Sequence, residues 1–183
     1  MAKWVVFIGS PRANGTSALL ADCLVEQLSA LHPEIVFHTY AMSDFSLKGC
    51  IGCDFCQGGS CVYQDDMAAI LDDVCSADGV VVVSPIYFSS VPSQFKALLD
   101  RFQPLFWKRQ ELLRAKRDLP PKKPLVLYVV GEGGDPHGFE GLESVVRSSF
   151  ALADFSLSQT IAYIGNQRFT KTSSLELPEV LRG

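Results

Sequence analysis

Val80-Val81-Val82-Val83 is the stretch that most narrows what this chain can become. An unbroken β-branched run offers no polar face to water, so it predicts a central strand covered on both sides. Strands of that kind belong to parallel sheets, whose crossovers are usually helices. The rest of the chain repeats the alternation. Apolar runs at Lys3–Gly9, Ile35–Tyr40, Leu125–Val130 and Ser158–Ile164 predict four more strands. Spacings of three and four predict the helices between them. One runs from Ser17 to Leu31 with Leu20, Cys23, Leu24 and Leu28 on its stripe, and Asp65-Asp66 caps a second that carries Met67, Ile70, Leu71, Val74 and Cys75. A third carries Phe95, Leu98, Leu99, Phe102 and Phe106, with Pro104 marking a kink or stop, and a fourth carries Phe139, Leu142, Val145, Val146 and Phe150. Cys23 and Cys75 both read as small buried residues. The tail from Gly165 has weak periodicity, with a short helix expected near Leu175–Leu181.

Right-handed crossovers turn this pattern into an α/β fold, a doubly wound five-stranded parallel sheet in the order 2-1-3-4-5 with helices on both faces. A length of 183 residues suits a single domain over 1–183. Only Ala41–Gln64 resists the pattern. It is longer than compact domains tolerate in an unstructured connection, so it reads as an insertion loop at about 41–64 that needs a staple or a function.

In a sheet of this order a ligand sits beyond the carboxyl ends of strands one and three. The first strand runs into Gly9-Ser10-Pro11-Arg12-Ala13-Asn14-Gly15-Thr16-Ser17. A helix N-terminus presents unpaired N–H groups and a partial positive charge, and Ser10, Thr16, Ser17 and Arg12 add donors to it. That is a phosphate cradle. The pattern Gly-x-Gly-x-x-Gly is missing, so a mononucleotide suits it better than a dinucleotide. Strand three ends in Ser84-Pro85-Ile86-Tyr87-Phe88-Ser89-Ser90, and strand four in Gly131-Glu132-Gly133-Gly134-Asp135-Pro136-His137-Gly138. The unusual residues therefore fall in the three loops that this topology would use. His32, His38 and His137 each stand alone in the sequence, and no acid–base dyad is visible.

The net charge of −4 argues against nucleic acid as a partner. No basic-then-apolar opening segment and no membrane-length apolar run occur, which predicts a cytoplasmic protein without a membrane partner. Lys108, Arg109, Arg114, Lys116, Arg117, Lys122 and Lys123 concentrate positive charge, either as a solvated face or as a docking surface for an acidic partner such as a redox protein, or for a dinucleotide phosphate. Of the six cysteines, Cys50, Cys53, Cys56 and Cys61 form C-x2-C-x2-C-x4-C inside the insertion loop. Gly52, Gly58 and Gly59 let the backbone bend around a bound group. Three occupants suit the spacing: a [4Fe–4S] cluster, a zinc ion, or no metal at all, with free thiols or disulfides.

Several of these features, taken together, resemble the NAD(P)H-dependent FMN reductase family with a flavodoxin-like fold, and within it the iron–sulfur flavoprotein branch. They are Gly9–Arg12, the Cys50–Cys61 cluster, Asp65-Asp66-Met67, Ser84–Phe88, and Lys96 followed by Asp100-Arg101. By that resemblance Ser10, Arg12, Asn14 and Ser17, with Gly15 and Thr16 in the same turn, would hold the FMN phosphate. Pro85, Ile86, Tyr87 and Phe88 would line the ribityl chain and the isoalloxazine ring, with Gly131, Gly133 and Gly134 on the ring's other side. Where the family commonly has Asn-Thr, this chain has Thr16-Ser17. The resemblance further implies NAD(P)H as donor, a small acceptor such as a quinone or flavin, and a homodimer or homotetramer. A non-catalytic FMN and iron–sulfur electron carrier serving protein partners is the other function consistent with these residues.

Overall fold

The computed structural model describes residues 1–182. The valine run lies in β3 (Gly79–Pro85), the middle strand of a five-stranded sheet. Its neighbours are β1 (Ala2–Ile8), β2 (Ile35–Ala41), β4 (Lys123–Gly131) and β5 (Phe155–Ile164), in the order β2-β1-β3-β4-β5 with every pair parallel. This is the expected flavodoxin-like arrangement. Side chains alternate along each strand, so Val80 and Val82 face one core layer and Val81 and Val83 the other. All four are fully buried, which explains why no polar residue interrupts them.

The first layer lies under α2 (Met67–Ser76), α3 (Ser93–Asp100), α4 (Gln103–Arg114) and α5 (Glu140–Ala151). The second lies under α1 (Thr16–Leu31) and, beside it, under the tail. The expected short helix in that tail is one 3-10 turn at Glu179–Leu181; the remainder crosses the sheet in irregular conformation. Phe169, Leu175 and Leu181 are its buried anchors. Its carbonyls are held by side chains from the elements beneath: Cys23 Sγ donates to Thr170 O, Gln27 Nε2 to Ser173 O, Tyr128 OH to Glu176 O and His32 Nε2 to Leu181 O. Both faces of the sheet are thus covered, one of them by a single helix and a strap.

Three local expectations are corrected. Cys75 is exposed rather than buried on α2. The predicted third helix is two, because Arg101 and Phe102 turn the chain and Pro104 opens α4 in its first positions, where its missing N–H costs nothing. The fifth strand starts at Phe155, earlier than its polar alternation suggested. His38, without an evident partner in sequence, bonds Asp73 on α2. Among the described residues no helix is long and apolar enough to cross a membrane.

Candidate active site

β1 delivers the chain to Gly9, whose N–H bonds Val83 O at 2.8 Å. A β-carbon at Gly9 would stand 2.9 Å from Phe95 and 3.0 Å from Ser84 Oγ, so only glycine lets β1 pass this close to β3 and α3. The chain then folds back on itself. Ser10 Oγ accepts from Arg12 N–H at 3.1 Å, and Gly15 N–H donates to Arg12 O at 3.2 Å. Gly15 is the N-cap of α1 and has no side chain to satisfy the helix's first N–H groups, and the first turn carries no acidic residue. A sixteen-residue helix therefore begins with its positive end uncompensated by the protein. Ser10 and Ser17 are buried at that end, 4% and 3% exposed.

This helix end opens into a pocket of about 570 Å³ at the carboxyl edge of the sheet. Ser10, Arg12, Gly15, Thr16 and Ser17 form one wall. Asn14 is exposed and does not line it. Pro85, Ile86, Tyr87 and Phe88 form the second wall. Ile86 N–H bonds Val130 O at 3.0 Å, and Tyr87 and Ser90 exchange backbone hydrogen bonds across a tight turn. That turn places Phe88 and Ser89 at φ of 50° and 59°, and leaves Phe88 98% exposed at the rim. A bulky side chain in the left-handed region is uncommon. Gly131, Gly133 and Gly134 complete the third wall, the last two at φ of +88° and +89°.

A fourth wall was missed from sequence: Ile164, Gly165, Asn166 and Gln167, just past β5. Gly165 N–H bonds Gly131 O at 2.8 Å, which ties this turn to the glycine loop. The polar Gly-Asn-Gln turn at a strand's carboxyl end was the available signal. Glu132 and Asp135 also line the pocket and bring negative charge to it. His137 is exposed, and its carbonyl accepts from Ser89 Oγ at 3.3 Å.

The cysteine loop lies apart from this pocket, against α4. A 3-10 turn, Phe55–Gly58, bends it, with Gly52, Asp54 and Gly59 at positive φ. Cys50, Cys53, Cys56 and Cys61 all border one small cavity of about 170 Å³, together with Arg101 and Pro104. Burial pushes the Cys56 thiol up, bonds from its backbone and Trp107 pull it down, and the neighbouring Cys50 and Cys53 push it up further. Among the described residues no three His, Cys, Asp or Glu side chains form a group that could hold a metal ion. The donor set nonetheless suits an iron–sulfur group in kind, with four cysteines bordering one space, although Asp54 borders it too.

Arg101 lies beneath the loop, 1% exposed. It makes a fork with Asp65, Nη1 to Oδ2 at 2.6 Å and Nη2 to Oδ1 at 2.8 Å, while its Nε is buried without a partner. Asp65 thus serves two ends, since its carboxylate also accepts from Met67 N–H at the start of α2. Hydrogen bonding from Arg101 holds the Asp65 carboxyl below its usual range, against the opposing effect of burial. A wider groove of about 900 Å³ between the loop, α2 and α4 contains Cys75 and Trp107. Of the basic cluster, Arg109 and Lys122 pair with Asp154, and Lys123 bonds Cys75 O and covers the Phe155 ring, so these three are committed to the fold.

Known proteins place this geometry. An iron–sulfur flavoprotein of Methanocaldococcus jannaschii is 40% identical over 105 residues, covering 56% of this chain and 53% of that protein. A second from the same organism is 27% identical over 163 residues, covering 88% and 74%. The match thus spans about half the length of the first relative. A crystal structure of an azoreductase from Bacillus anthracis superposes with a TM-score of 0.65 at 15% identity, covering 90% of this chain and 88% of that one, a likeness of fold. Residues 2–164 match the family model described as NADPH-dependent FMN reductase, and the chain belongs to that family.

Proposed function

We propose that this chain is an FMN-dependent oxidoreductase that takes electrons from NAD(P)H or a reduced carrier and passes them to a small acceptor such as a quinone or a flavin. The observation that carries the reading is the uncapped start of α1, opening with buried Ser10 and Ser17 into a pocket whose other walls are an aromatic turn and a glycine loop. Those N–H groups and hydroxyls suit a phosphate monoester, and Arg12 adds a charge at its outer side. Ile86, Tyr87 and the glycine turn offer a slot for a planar ring, with backbone groups at its edge. When bound, FMN supplies the hydride and one-electron chemistry. The protein's residues orient the ring, keep one side dry and leave the open side for donor and acceptor in turn.

The four cysteines are read as ligands of an iron–sulfur cluster, which when bound would store and relay single electrons. The support is that all four cysteines border one cavity, in a run where three of them stand at two-residue spacing and the fourth follows after four. Phe88, exposed beside the pocket, supports a homodimer or homotetramer in which a second copy covers it.

The test is the visible spectrum of protein purified and reconstituted without oxygen, with iron, sulfide and zinc measured in parallel. Flavin bands, iron with matching sulfide, and steady oxidation of NADH or NADPH in the presence of a quinone are expected. A protein that takes up no FMN would overturn the reading. FMN uptake without turnover on either nicotinamide, but with reduction by a carrier protein, would move it to the electron carrier.

A further inference from the structure

Arg101 touches the cysteine loop at both of its stems. Its Nη1 reaches Lys48 O, just before Cys50, at 3.5 Å. Its guanidinium carbon stands 5.2 Å from the ring of Tyr63, just after Cys61, and its fork holds Asp65 two residues further on. The stems also meet each other, since Lys48 Nζ lies 5.2 Å over the same Tyr63 ring. One buried cation at the end of α3 therefore closes the neck of the loop and lines the cavity that the four cysteines share. Without such a closure, ordering the loop would carry the full entropy of bringing its ends together.

Charge adds a second role. Arg101 is a permanent cation and it lines the cavity that the four cysteines border. The cation is nearly inaccessible while the Asp65 side chain is 25% exposed, so the positive partner is the better shielded one. Its unpaired Nε leaves one buried donor that the protein itself does not satisfy.

We propose that the Arg101–Asp65 pair is both clasp and counter-charge of the cysteine loop: it closes the neck so that the four thiols face one cavity, and its guanidinium favours the more negatively charged state of the sulfur-bound group. The second half rests on the iron–sulfur reading; the first does not. Arg101 acts here as a positioning residue.

The test uses full-length R101Q, R101K and D65N beside the parent protein, each checked for folding by circular dichroism. Hydrogen exchange of the metal-free proteins reports the clasp. Amides of residues 46–64 should exchange about tenfold faster or more in R101Q and R101K, while the strands stay unchanged. Parent-like exchange there would overturn the clasp. After anaerobic reconstitution, R101Q should hold iron and sulfide roughly tenfold more weakly. Redox titration then reports the charge. R101Q should shift the midpoint downward, D65N upward, and R101K should stay near the parent. A clasp that acted only by tightening the loop would move all three the same way, and that result would overturn the counter-charge. If R101Q does not fold, D65N and R101K decide both halves. A parent protein that takes up no iron or sulfide would sink the cluster reading, and the hydrogen exchange would still judge the clasp.

Discussion

Gly131 and Ile86 approach so closely that a β-carbon on Gly131 would stand 2.6 Å from Ile86 Cδ1. Ile86 cannot retreat as a whole, because its N–H is bonded to Val130 O at 3.0 Å. In Gly131→Ala its side chain must swing, and the adjoining space is the pocket. Overpacking of this kind costs about 1–3 kcal/mol. Gly131→Ala should therefore lower FMN affinity, measured by fluorescence titration, more than it lowers thermal stability. Adding Ile86→Ala should restore much of the affinity, because the two residues are in contact and their effects cannot be additive. Equal losses in the single and double variants would show that the ring does not lie there.

Ser10 and Ser17 are the two hydroxyls buried at the start of α1. Each Ser→Ala change removes a donor, and Ser10→Ala also removes the acceptor of Arg12 N–H in the turn. FMN should bind about 10- to 150-fold more weakly in each variant, since a hydrogen bond to a charged group is worth about 1.5–3 kcal/mol. Riboflavin, which has no phosphate, should bind both variants and the parent alike. A riboflavin affinity that falls as much as that for FMN would move the phosphate away from this turn.

Much of this was legible because the residues concerned serve one purpose. The valines of β3 can only be a doubly covered strand, and three of the four pocket walls come from loops that the strand order itself selects. Other features depend on balances that spacing does not record. Cys75 continues the apolar spacing of α2, yet it stands roughly 80° round the helix from Met67, at the margin of the stripe, and is exposed. The Asp65–Arg101 fork joins residues far apart in the chain; sequence shows the helix cap but not the partner. The tail hid its packing, because an irregular strap satisfies its backbone through side chains elsewhere and needs no period of its own.

Tyr128 offers a test of that strap. Its ring is fully buried and stacked on Tyr163, and its hydroxyl donates to Glu176 O at 2.7 Å. Burial drives its pKa far above the usual tyrosine range, so it remains a donor at all ordinary pH. Tyr128→Phe keeps the packing and leaves the Glu176 carbonyl without that donor, at a cost of about 1 kcal/mol. Hydrogen exchange should quicken in residues 169–182 and leave β4 protected. Unchanged exchange in the tail would mean that apolar anchoring alone holds it.

Asp73 predicts the acid response of the opposite edge of the sheet. Burial pushes its carboxyl up, but bonds from His38 at 2.8 Å, Tyr40 at 2.7 Å and Lys3 at 3.0 Å outweigh that and bring it down to about 2 from an ordinary 3.8. A carboxyl depressed in the folded state favours folding above its unfolded value, and that contribution disappears as pH falls through the folded value. The window is therefore from about pH 4 down to about pH 2. The part that titrates away there is about 2 kcal/mol at most. Urea unfolding of the parent and of Asp73→Asn should differ by a clear margin at pH 5. The margin should shrink as pH falls through the window, because the parent then carries a protonated carboxyl that resembles the amide. A margin independent of pH would show that the three donors act through packing and not through the charge on Asp73.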